Sequence, residues 1–327
     1  MKPFVTFALL LLVVRPPANA ANPSFLRLVQ SISLPDVEGR LDHMAVDVEG
    51  QRLFIAALGN NSIEVVDLRA GKRSHSLGGF HEPQGVAWIS DRGQLFVASG
   101  GDEMCHVLDG SSFASAALDG KNDDADNVRY DAAAHRVYVG CGNGSLRVYD
   151  STNWTVVGEI MLSAHPESFQ TETRGPRIFV NVPGVRRVEV ADRSKMRVIT
   201  SWPLKSAQAN FPMGLDEERR HVLVGCRKPP TMTVLDVDSG KEIATVPIDG
   251  DADDVFLDAK RNRIYVSCGA GFLDVIDSTN FKLLEKIPTA SGARTCLFVP
   301  ELNRLYLAVP HRGDQQAELR AFEPTGN

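Results

Sequence analysis

Seven residue pairs recur along this chain at nearly constant spacing: Asp42-His43, Gln84-Gly85, Asp126-Asn127, Glu167-Ser168, Phe211-Pro212, Asp253-Asp254 and Arg294-Thr295. Four of them carry carboxylates. If the fold gathers these pairs, the carboxylates repel one another and must hold protons, bind a cation, or stay apart in solvent. Asp126, Asn127, Glu167, Asp253 and Asp254 offer the oxygens a hard divalent cation such as Ca2+ uses, about six to eight of them. His43 adds a ring nitrogen suited to a transition metal or to general-base work. Arg294 and Arg227 are the groups that would stabilise an anion beside them.

Residues just upstream add His81, Glu82, Asp123, Asp124, His165 and Asp251, and later loops add Asp102, Glu103, Lys228, His311 and Arg312. The candidate metal ligands are His43, Asp126, Glu167, Asp253 and Asp254. The candidate ligand-binding set adds Asn127, Arg227, His311 and Arg294. Two readings stay open at this level: a built site, or acidic side chains that solvate a rim and cap strand ends.

What must position these residues is a repeat. Segments such as RLFIAAL (52–58), RVYVGCG (136–142) and RIYVSCG (263–269) share a column formed by Leu53, Leu95, Val137, Ile178, Val222, Ile264 and Leu305, with steps of 42, 42, 41, 44, 42 and 41 residues. β-branched and aromatic enrichment at period two makes each copy a strand. About a dozen residues on, a second apolar segment ends in Asp, as in IEVVD (63–67), LRVYD (146–150) and LDVID (273–277). Polar turns follow, such as LRAGK (68–72) and STN (151–153), whose Gly and Asn are expected to take the positive-φ positions. Upstream lies a first strand, as in DHMAVD (42–47) and DDVFLD (253–258).

Four antiparallel strands in about 42 residues, seven times over, predict an all-β, seven-bladed β-propeller. The seventh copy offers only ELRAF (318–322) after its second strand, while SFLRLVQSISLP (24–35) has no blade of its own. The N-terminal strand is therefore expected to close the last blade, which removes an exposed sheet edge. First-strand starts and second-to-third-strand loops then converge on one channel mouth. The Asp column at 47, 131, 216 and 258 falls at the other end of the first strand and reads as turn-capping.

The strand pair RVYVGCG…LRVYD and its relatives resemble the YVTN-type β-propeller repeat over nearly the whole chain. The resemblance implies the fold, and for function a range that includes surface-layer and periplasmic binding proteins. More distant similarity to gluconolactonase-like and streptogramin-lyase-like propellers implies an alternative, a metal-dependent hydrolase or lyase acting on an ester or lactone, with His43 as base or ligand. Copies four and five depart most from the pattern, with Pro183, Pro229 and Pro230 in their second-to-third-strand links. The leading expectation is a binding protein for a small molecule or protein partner at the acidic mouth.

Residues 1–20 read as a signal peptide: Lys2, an apolar run from Phe4 to Val14, then Ala18-Asn19-Ala20. That divides the chain into a leader, 1–20, and one propeller domain, 21–327, in a periplasmic or secreted protein with no retained membrane span. The net charge of −6 becomes −8 once Lys2 and Arg15 are removed, which disfavours nucleic acid and anionic lipid as partners. Arg186, Arg187, Arg193, Lys195 and Arg197 make copy four locally basic, and solvated charge accounts for them.

Five cysteines in an exported chain raise the question of disulfides. Cys141, Cys226 and Cys268 share one repeat column in different blades, and Cys105 and Cys296 fall in strands two blades apart around the ring, so none is expected to pair. No C-x-x-C-H, Walker, G-x-S-x-G or dinucleotide fingerprint is present, which removes support for covalent haem, NTP and serine-hydrolase chemistry. Asn60, Asn143 and Asn153 sit in N-x-S/T triplets that would accept glycans in a glycosylating host.

Overall fold

The repeat column forms the second strand of every blade: Arg52–Ala57, Gln94–Ser99, Arg136–Cys141, Arg177–Val182, His221–Lys228, Arg263–Cys268 and Arg304–Val309. The computed structural model describes residues 24–326 apart from residue 119, so the expected leader at 1–20 and its cleavage point lie outside the described residues. Among the described residues the chain forms seven four-stranded antiparallel sheets, the blades of a propeller. In six of them the strands follow in sequence order. The seventh combines Thr295–Val299, Arg304–Val309 and Glu318–Pro324 with the N-terminal strand Leu26–Ser33, paired from Leu26↔Pro324 to Ser33↔Glu318. The predicted ring closure is thus present.

Second and third strands are buried almost throughout because each blade packs a neighbour on both faces. Seven apolar clusters fill the ring; Phe54, Val65, Leu95 and Val97, for example, belong to the one shared by blades one and two. Fourth strands lie outermost and are largely exposed, as in Lys72–Gly78. No helix among the described residues is long and apolar enough to cross a membrane.

The two aspartate columns hold turns. Asp47, Asp131, Asp216 and Asp258 accept the backbone N–H of Gly50, Ala134, Arg219 and Arg261 at 2.9, 3.1, 2.9 and 3.2 Å. Each also meets an arginine, Arg52, Arg193, Arg219 or Arg261 respectively. Basic side chains of blade four are partly spent this way, Arg193 on Asp131 and Lys195 on Asp192. At the third-strand ends, aspartates such as Asp67 and Asp236 accept two or more turn N–H groups.

The residue four places after each of those third-strand aspartates has a positive φ, and here the expectation from turn composition needs correcting. Gly71 and Gly240 fill the position in two blades, but Phe113, Trp154, Met196 and Phe281 fill it in four, while Asn153 and Asn280 stand one place earlier. A non-glycine residue in this region costs about 1–2 kcal/mol. Ring contacts offset that cost, with Trp154 against Phe96 at 5.7 Å, Phe281 against His221 at 5.4 Å and Phe113 against His75 at 4.9 Å. Of the N-x-S/T asparagines, Asn60 donates to Ser62 Oγ and Asn143 and Asn153 accept from Ser145 and Thr155, all closing turns.

Candidate functional site

One residue from the start of each first strand faces the channel mouth: Asp42, Gln84, Asp126, Glu167, Phe211, Asp253 and Arg294 all line a single open cavity of about 380 Å3. His43, Asn127, Arg227, Arg40, Asp124 and His165 line it too. Of the candidates drawn from sequence, His43, Asp126, Asn127, Glu167, Asp253, Arg227 and Arg294 are therefore neighbours in space.

Two are not. Asp254 lines a deeper chamber, because a bulge between Ala252 and Asp254 sends the consecutive aspartates to different levels, and its Oδ2 accepts Cys296 N–H at 2.8 Å. His311 stands off the cavity and pairs its Nδ1 with Glu38 Oε2 at 2.8 Å. Of the irregular loops, blade five contributes Arg227, whereas the Pro183–Val185 turn of blade four does not line the cavity.

At the floor, Asp42, His43 and Asp126 each present a ligating atom within 4.8 Å of the others. His43 Nε2 lies 3.3 Å from Asp126 Oδ1 and 4.0 Å from Asp42 Oδ1. Glu167, Asp253 and Asp254, proposed from sequence as ligands of the same ion, are outside this set. Asn127 Oδ1 is buried without a hydrogen-bond donor, and the buried Asp126 Oδ1 faces the His43 ring nitrogen across 3.3 Å. Such atoms are costly unless something supplies a proton or a positive charge.

The electrostatics follow from this crowding. Burial would push the His43 imidazole down, but contact with Asp126 and the charges of Asp126, Asp42 and Asp254 outweigh it and hold the ring up to about 10. Burial pushes Asp42 up to about 6 against the pull of His43. Asp126 goes down, because His43 overcomes its burial. Glu167 is pushed up to about 8 by burial and by the charge of Asp126; it meets His165 Nδ1 at 4.0 Å. His165 donates to Asp124 across 3.3 Å, which raises the imidazole and lowers the carboxyl.

On the far side, Arg294 reaches Asp251 at 3.1 Å and Asp253 at 3.0 Å. Arg227 pairs with Asp253, donates Nε to Ala252 O at 3.0 Å and lies 3.8 Å above the Phe211 ring. These two guanidiniums are fixed in the mouth by their aspartate partners, charge-balanced by Asp251 and Asp253. Left-handed backbone recurs near the mouth, since Glu82, Asp124, Ala209 and Asp251, each two residues before a mouth residue (Gln84, Asp126, Phe211 and Asp253), have φ of 50, 41, 57 and 60°. Non-glycine residues held this way cluster at ligand clamps and active sites.

A raised carboxyl pKa removes stability as pH climbs. Glu167, at about 8 against 4.5 for a free side chain, contributes fully below 4.5 and loses that contribution as pH rises to about 8. Glu167→Gln is expected to flatten this limb, melting within a few degrees of wild type at roughly pH 5 and several degrees higher at roughly pH 9. Parallel melting curves across that range would show that Glu167 is not held neutral.

Sequence reasoning passed over Arg40, which holds Asp42 at 2.6 Å, and Arg129, which lines the deeper chamber. Arg129 had a signal: the fourth register position of the first strands is otherwise Ala45, Ala87, Gln170, Gly214, Phe256 and Leu297, so a charge there is out of pattern.

No protein-family model matches the chain, and no curated protein matches it in sequence. Among solved structures it is similar to hydrazine synthase of Kuenenia stuttgartiensis, with TM-score 0.76 and 17% identity, covering 84% of this chain and 93% of that one. At that identity the likeness shows the fold alone, a seven-bladed β-propeller.

Proposed function

We propose that this chain is an exported, YVTN-like propeller that binds a small polar ligand in the mouth cavity, with a divalent cation at Asp42, His43 and Asp126 as part of the site. The observation that carries the reading is the convergence of those three ligating atoms within 4.8 Å, beside the buried, unpartnered Asn127 Oδ1, on the floor of a cavity open to solvent. A cation there would satisfy what the protein leaves unsatisfied. One imidazole and two carboxylates suit a borderline ion such as Zn2+ better than Ca2+, which favours more oxygens.

A second reading draws on the two guanidiniums of the mouth. Three ligands leave a metal with open positions, and Arg227 and Arg294 stand in the same cavity where an anion would develop. That arrangement suits metal-assisted opening of an ester or lactone, in which the ion polarises the carbonyl.

The test is elemental analysis of the purified mature protein by plasma mass spectrometry, before and after chelation and re-addition of Zn2+ or Ca2+, with His43→Ala and Asp126→Ala alongside. One ion per chain, lost in both variants and taken up with proton release, is the expected result. A lactone and ester screen of the loaded protein then separates binding from turnover. Failure of the wild type to take up either ion would overturn the metal part of the proposal.

A further inference from the structure

Below the mouth, a second cavity of about 240 Å3 sits inside the ring, with Met44, Val86, Val128, Met213, Val255 and Leu297 among its walls. Its capacity is about that of eight waters in the liquid. Beside these apolar walls the first strand of blade three brings Arg129 and that of blade four brings Gln170, and His43 and Asp254 also line the chamber.

Arg129 is held in place but not neutralised. Its Nη1 donates to Val128 O at 2.9 Å, its Nη2 to Ser168 Oγ at 3.2 Å, and the guanidinium lies 5.4 Å from the centre of the Phe169 ring. The carboxylates it senses, Asp254 and Asp126, act through space without a hydrogen bond to it. A guanidinium has five N–H donors, so capacity remains for a bidentate partner. A partly buried guanidinium with no carboxylate hydrogen-bonded to it is costly, and an arriving anion would relieve that cost.

We propose that this chamber is a second ligand site, taking a small organic monoanion whose carboxylate pairs with Arg129 and whose apolar remainder rests on the methionine and valine walls. Asp254 shares the chamber, so one negative charge is the most that Arg129 accommodates there and dianions are disfavoured. The site is separate from the mouth cavity, with which it shares His43 in its lining.

The experiment is calorimetric titration of the mature full-length protein with pentanoate, its neutral counterpart pentanamide, and the dianion succinate. Pentanoate is expected to bind, with pentanamide weaker by roughly tenfold or more because the charge-assisted pair is missing, and succinate weaker by a similar factor because its second carboxylate meets Asp254. Arg129→Met, which keeps the length and apolar stem, is expected to weaken pentanoate by a similar factor, and Met213→Trp to block it by filling the chamber. Equal affinity for pentanoate and pentanamide in the wild type overturns the proposal without any variant having to fold. So does undiminished binding by folded Arg129→Met. Loss of pentanoate binding in Arg294→Ala but not in Arg129→Met would place the anion in the mouth instead, separating this site from the one proposed above.

Discussion

Removing residues 24–34 is expected to abolish the cooperative thermal transition of the propeller. Leu26, Ile32 and Leu34 are at most 2% exposed, and each belongs to the interior of the ring. At about 1.5–3 kcal/mol per buried aliphatic side chain, their loss is about 5–9 kcal/mol. Whole domains are stable by only about 5–15 kcal/mol. The deletion also strips the partner from Glu318–Pro324, turning a paired strand into an open edge that invites association between chains. Circular dichroism melting with sedimentation velocity checks both parts. A monomer that melts cooperatively within a few degrees of the parent would show that the N-terminal strand is dispensable to closure.

The second large effect concerns His43. Its ring stands between Asp42 and Asp126, whose side chains are 1% and 14% exposed, so His43→Ala leaves two buried carboxylates facing each other. Breaking a buried charge pair by removing one member costs on the order of 3 kcal/mol. The pH dependence separates this from simple cavity creation. A group raised from 6.5 to about 10 stabilises fully below 6.5 and loses that contribution as pH rises through about 10, so the gap between wild type and variant shrinks toward alkaline pH. It shrinks again toward acid, where the facing carboxylates can share a proton. Urea unfolding in metal-free buffer at several pH values should therefore show the gap widest near neutrality. A gap that does not change with pH would mean that His43 contributes packing and not charge.

The ring was legible because its repeat is dictated by burial on both faces of every blade, a demand that seven second strands meet with nearly the same residues. Ring membership at the mouth followed from register alone, which is why Asp42, Asp126, Glu167, Asp253 and Arg294 come together as the spacing implied. Register fails where the strand does not run straight. The bulge at Ala252 and Asp254 separates two aspartates that sequence treats as equivalent, and His311 lies in a loop whose path no repeat constrains. Turn chemistry misled for a different reason. Trp154 and Phe281 occupy left-handed backbone because their rings find neighbours distant in sequence, and composition within the turn contains no trace of that contact.

The five cysteines bear on how the ring could be watched. Cys105, Cys141, Cys226, Cys268 and Cys296 are all free and buried, distributed over blades two, three, five, six and seven. Burial pushes every thiol up, Cys141 to about 11 and Cys226 to about 12, so almost none exists as the reactive thiolate near neutral pH. An alkylating reagent can reach a given sulfur only while the blade around it is open. Five blades thus carry their own endogenous label, and the order in which those sulfurs are modified under native conditions would record the sequence in which the propeller breathes, blade by blade, without any introduced probe.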